Sequence, residues 1–131
     1  MKKSIGVATL VGVICLALTP IAPAYAANWV YVAKNTNGAV FYYDSDTIRR
    51  SGNQVTVWEK VDHSRNKTVK MREEKSRWRY DCEERTRALL QLTNYYPDRQ
   101  PETFTWNAYE QKEGAVTPDT EGEDVLKAVC G

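Results

Sequence analysis

With 131 residues, 18 Lys and Arg against 17 Asp and Glu, and a single His, the chain has room for one domain, which excludes a multidomain machine. Lys2 and Lys3 lie in an N-terminal leader free of acidic residues, so removing residues 1–26 leaves 16 basic against 17 acidic side chains, a net charge of −1. No bulk charge draws such a protein to nucleic acid or a membrane surface, and a domain of this size buries roughly 65% of its unfolded surface, enough for one core without a deep cleft.

The leader has an apolar run over residues 5–18, then Pro20, Pro23 and the small-x-small tripeptide Ala24-Tyr25-Ala26. This is the form of a secretory signal cut after Ala26. Residues 1–26 are therefore expected to be a cleavable signal peptide and residues 27–131 the exported domain, addressed to the periplasm or the outer cell surface. The apolar run is too short for a hydrocarbon core that needs about 20 residues, so the mature chain is expected to lack a transmembrane segment. Cys15 follows bulky Ile14 inside that run, unlike a lipid-attachment cysteine, so this is not an evident lipoprotein. Cys82 and Cys130 then remain in an oxidising compartment and admit one pairing, a structural disulfide. A redox or metal role is disfavoured because neither cysteine belongs to a CxxC.

Beyond Asn28 the sequence alternates with a period of two and is rich in aromatic and β-branched residues, which predicts sheet. Residues 29–33 and 39–43 read as a hairpin around Asn35-Thr36-Asn37-Gly38, with Asn37 and Gly38 both suited to positive φ. Asp44-Ser45-Asp46 breaks the pattern, residues 47–50 read as irregular, and residues 54–62 form the next strand. After a turn at residues 64–67, residues 68–82 read as one long charged strand that places Trp78, Tyr80 and Cys82 on the core parity. Residues 84–95 are favoured as strand, although the Ala, Leu, Glu and Arg content of residues 83–92 also suits a helix. Residues 103–106 close the sheet, and residues 107–118 read as polar and mobile. Thr120 and Glu123 fit a capping box before a short helix whose Val125, Leu126 and Val129 share one face. One such helix covers one face of the sheet, leaving the other solvated, curved over itself or covered by a second molecule.

Chemistry-bearing motifs are scarce. His63 reads as an exposed histidine at a strand end, no nucleophile elbow is present, and no metal, calcium, Walker or dinucleotide motif appears, so the chain is read as a non-enzyme with no cofactor. The Glu73-Glu74 and Glu83-Glu84 pairs read as solvated ion-pair partners, and the Asn66-Lys67-Thr68 sequon is discounted as a chance match. The densest basic stretch is Lys67, Lys70, Arg72, Lys75, Arg77 and Arg79. With Trp58, these are the candidate partner-binding residues, for a protein or polyanion rather than nucleic acid.

Trp29-Val30-Tyr31-Val32-Ala33 with Asn37-Gly38, the run from Tyr42-Tyr43-Asp44-Ser45-Asp46 through Gly52-Asn53, Val55-Thr56-Val57-Trp58, Arg77-Trp78-Arg79-Tyr80-Asp81-Cys82 and the closing Val125-Leu126-Lys127-Ala128-Val129-Cys130 together resemble the surface-adhesin protein E domain family. The resemblance covers essentially all of the mature chain. It implies an α+β fold, an antiparallel sheet of about six strands with a short C-terminal helix packed on one face and tethered by a Cys82–Cys130 disulfide. It further implies a Gram-negative envelope protein that binds host matrix proteins partly through basic residues upstream of the first cysteine, for which residues 67–79 are the nearest counterpart. The expected function is a non-enzymatic adhesin-like contact with a protein or polyanion. The alternative is a soluble periplasmic protein that self-associates as a homodimer or binds an envelope partner.

Overall fold

The structure is a computed structural model that describes residues 26–131 and, within the leader, residues 4, 6, 8, 9, 11–15, 17 and 18. The Ala24 and Tyr25 positions of the expected cleavage site lie outside the described residues. In chain order the elements are β1 (Trp29–Lys34), β2 (Val40–Asp44), a 3₁₀ turn (Ser45–Thr47), β3 (Arg49–Ser51), β4 (Gln54–Asp62), β5 (Glu73–Asp81), β6 (Thr86–Tyr95), β7 (Glu102–Thr105), β8 (Gly114–Ala115) and α1 (Glu121–Cys130). All strands join one antiparallel sheet in the order β1-β2-β4-β5-β6-β7, with β3 added to β4 and β8 to β6. The path thus has the six expected strands, and two short ones extend it.

Local chemistry explains the turns, with some differences from expectation. Gly38 takes a positive φ of 91° but Asn37 does not. The Asn35 side chain organises the turn instead, its Oδ1 accepting from the N–H groups of Asn37 and Ala39 at 3.1 and 3.0 Å. Gly38 is further required because a Cβ there would lie 2.8 Å from the carbonyl oxygen of Arg65. Asp44 is buried and caps the 3₁₀ turn by accepting from the N–H of Asp46, while it also accepts from the N–H of Asn28.

The long charged strand begins at Glu73 rather than at residue 68. His63, expected to be exposed, is buried, and its ring fixes the loop that precedes the strand. Its Nε2 meets Glu74 at 2.5 Å, and its Nδ1 lies 3.1 Å from the amide nitrogen of Asn66, which is also buried. The Asn66 oxygen accepts from the N–H and hydroxyl of Thr68, and His63 N–H donates to the Arg72 carbonyl. Glu74 is therefore a loop anchor rather than a solvated ion-pair partner.

Residues 86–95 form strand, so pairing with β5 prevails over helix propensity. Arg85, at φ 55°, closes the β5–β6 connection, and Asp81 accepts there from the N–H groups of Glu83 and Glu84. Residues 107–118, expected to be mobile, are tied down. β8 pairs with β6, Asn107 accepts from the N–H groups of Tyr109 and Glu110, and Arg79 donates to Gln111.

The core sits under the helix. Val125, Leu126 and Val129 pack on Val55, Val57 and Tyr80, all nearly or wholly inaccessible. Fully burying each such side chain contributes roughly 1.5–3 kcal/mol. Thr120 caps α1 by accepting from Glu123 N–H at 3.4 Å, but the returning Glu123 carboxylate accepts from Asp119 N–H, one residue earlier than a capping box places it. Cys82 and Cys130 are disulfide-bonded with their Cα atoms 5.6 Å apart. Arg50 donates to the Val129 carbonyl at 2.9 Å, and Gly122 makes room for the Arg87 guanidinium, 2.7 Å from where a Cβ would stand. The edges of the sheet differ: β1 carries a bulge between Tyr31 and Ala33, whereas β7 pairs regularly along its length.

Candidate binding face

The helix covers the face that holds Val55, Val57 and Tyr80, so residues of opposite parity form an outer face. Register aligns them across the central strands: Trp58 opposite Arg77, Lys60 opposite Lys75, and Thr56 opposite Arg79. Tyr42 lies beside Lys60, Tyr31 beside Tyr42, and Lys75 beside Thr93. Like charges directly opposite one another cost stability, and the Lys60–Lys75 pair meets this cost by turning apart onto aromatic rings. The Lys60 ammonium lies 4.7 Å from the ring centres of both Trp29 and Tyr42, and that of Lys75 lies 5.1 Å from Tyr95. Lys75 also pairs with Glu73 at 3.3 Å.

This outer face curls into a trough. Trp29 on β1 and Tyr95 on β6 line one cleft of about 310 Å³ with Trp58 and Lys75. A flat sheet would hold β1 and β6 roughly 19 Å apart across four strand spacings. Trp29 and Tyr95 thus reach one cleft across a face that curves over itself.

The sequence-predicted residues do not form one strip. Trp58, Lys75 and Arg77 share the outer face, Arg77 exposed and the other two half-buried. Arg79 lies on the same parity but is engaged by Gln111 at 2.7 Å and Glu113 at 3.5 Å. Lys67, Lys70 and Arg72 stand exposed in the loop at the end of the trough. Lys60, Trp29, Tyr42 and Tyr95 were missed. Lys60 shares the parity of Trp58 on β4, a signal the sequence carries, but the three aromatics belong to the face only through strand order and register.

On the helix side, Glu59 is buried and accepts a hydrogen bond from the Tyr80 hydroxyl, which in turn accepts from Arg87 at 3.3 Å. Burial lifts the Glu59 carboxyl from 4.5 to about 7, against the Tyr80 bond and the Arg87 charge, which favour the ionised form. Burial foremost, and then the neighbouring Glu59 charge, push the Tyr80 phenol well above its ordinary value. Arg87 stacks on Trp78 at 4.2 Å. Beside this cluster a groove of about 170 Å³ runs past Phe41, Val61, Leu89 and Leu92. Among the described residues, no three His, Cys, Asp or Glu side chains gather as metal ligands would, and no helix is long and apolar enough to cross a membrane.

The molecule is thus a single antiparallel sheet with one face partly covered by a disulfide-fastened helix and the other aromatic and cationic. The chain belongs to the surface-adhesin protein E family, whose sequence profile matches residues 29–131. Among solved structures it is similar to crystal form II of Haemophilus influenzae protein E, at 15% identity over 84% of this chain and 94% of that chain, with a TM-score of 0.54. The selenomethionine form of the same protein gives 14% identity over 82% and 88%, with a TM-score of 0.55. Protein E from non-typeable Haemophilus influenzae gives 14% over 83% and 79%, with a TM-score of 0.53. At these identities the likeness is one of fold. No curated protein matches the chain.

Proposed function

We propose that the chain is a non-enzymatic, exported adhesin-like binding protein of the bacterial envelope, which contacts a protein or polyanion through the outer sheet face and the basic loop beside it. The observation that carries this is the trough itself. Trp29, Trp58 and Tyr95 line it with Lys75, and Lys60 and Tyr42 stand beside them. Aromatic anchors are enriched at contact surfaces, and family membership supports the same reading. Charge reversal of exposed Lys67, Lys70 and Arg72 together is expected to leave the fold intact and weaken binding of the mature chain to immobilised matrix proteins by about tenfold or more. That loss should shrink as salt is raised. Surface plasmon resonance at two ionic strengths checks it, and unchanged binding by the triple variant rejects the loop as a contact.

A second reading, a soluble periplasmic protein that self-associates, is favoured by the uncovered apolar stretch on the helix side, where Phe104 is 47% exposed near the groove lined by Phe41, Val61, Leu89 and Leu92. It predicts a dimer in sedimentation of the mature chain that dissociates on Leu92→Lys. A monomer at every concentration tested rejects it.

A further inference from the structure

The trough holds a more specific arrangement than a general contact surface needs. Its cleft of about 310 Å³ is at the small end of ligand pockets and is walled by Trp29, Trp58 and Tyr95. Between these rings it presents one cation, Lys75, one carboxylate, Asp44, and one carboxamide, Gln91. Asp44 is 4% exposed and held by two backbone N–H groups, so it is a fixed acceptor rather than a flexible surface charge. The threonine hydroxyls lining the cleft are engaged within the protein. Thr47 donates to the Asp44 carbonyl and accepts from Trp58 N–H, and Thr93 pairs with Thr103. These bonds hold the rim in place.

The chemistry of this set excludes several ligand classes. A purely apolar ligand would strip water from Lys75, Asp44 and Gln91 without replacing their partners. A chain of phosphates would meet the Asp44 carboxylate as well as the Lys75 ammonium. A sugar ring carrying an acid group satisfies every element at once. Its flat C–H face packs on an indole, its adjacent hydroxyls donate to Asp44 and exchange bonds with Gln91, and its carboxylate or sulfate meets Lys75. We infer that the concave face binds an acidic saccharide, one ring seated between Trp29, Trp58 and Tyr95 with its anionic group on Lys75 and its hydroxyls on Asp44 and Gln91. This deepens the contact-face reading and rests on it, naming the ligand class that the trough takes.

The test compares a hyaluronan tetrasaccharide, which carries carboxylates, with neutral chitotetraose, using calorimetry and indole emission on the folded mature chain. The acidic sugar should bind at least about tenfold more tightly than the neutral one. Lys75→Gln should weaken the acidic tetrasaccharide at least about tenfold more than it weakens chitotetraose and so bring the two to parity, a selectivity shift that mere loss of structure would not produce. Trp58→Ala should weaken both, and Gln91→Ala, a milder change, gives the same direction if Trp58→Ala fails to fold. No binding at millimolar sugar, or an acidic preference that survives Lys75→Gln, overturns the inference. So does tighter binding of tripolyphosphate or of a short oligothymidylate than of the tetrasaccharide. In each of those cases the contact-face reading still stands or falls separately on matrix-protein binding by the loop charge-reversal variant.

Discussion

Replacing both Cys82 and Cys130 by serine is expected to lower the unfolding free energy by about 4 kcal/mol, the loop-closure entropy for residues 48 apart in sequence. That is a large share of the roughly 5–15 kcal/mol that holds a typical domain together. α1 has ten residues, too few to persist alone in water, so without the bond its attachment falls to Val125, Leu126, Val129 and the bond from Arg50. Urea unfolding of the double variant beside the parent measures the loss, and the parent treated with reductant should follow the variant's curve. A loss below about 1 kcal/mol would show that packing alone fastens the helix and that the entropic account of this bond fails.

Glu59→Gln should stabilise the protein at pH 8 and leave it unchanged at pH 4. The folded state holds the Glu59 proton up to about pH 7, whereas an exposed carboxyl releases it near 4.5. Between those values the native protein binds the extra proton, so stability declines as pH rises through the window and stays low above it. A displacement of that size is worth roughly 3 kcal/mol. Glutamine keeps an oxygen to accept from the Tyr80 hydroxyl and carries no charge to bury, so the variant should show a flatter profile between pH 4.5 and 7. Chemical denaturation at several pH values decides it. Parallel curves for parent and variant would assign the decline to other groups.

Alternation from Trp29 onward made the sheet legible, and two cysteines beyond the leader allowed only one bond. The helix was readable because Val125, Leu126 and Val129 fall on one face behind a capping residue. What stayed hidden depends on contacts distant in sequence. Residues 68–72 have the composition of a strand, yet the buried ring of His63 meets Glu74 and Asn66 and folds them into a loop. Nothing local marks that histidine as buried. Lys60 and Lys75 each look like ordinary surface lysines, and only the register of β4 against β5 sets them opposite one another. A bulge between Arg77 and Trp78 resets the parity of β6 against β5, which a strict period of two cannot anticipate. The trough was therefore visible as scattered aromatics and cations, without the order that makes it a site.

The unlike edges of the sheet limit how copies of this protein can assemble through their backbones. A strand laid along β1 would run into the irregularity between Tyr31 and Ala33, whereas β7 offers four regularly spaced residues. Two molecules meeting through β7 use the same side of each, an arrangement with twofold symmetry that consumes the available edge. A pairing of that kind would end at two molecules, because each uses up its regular edge in the contact.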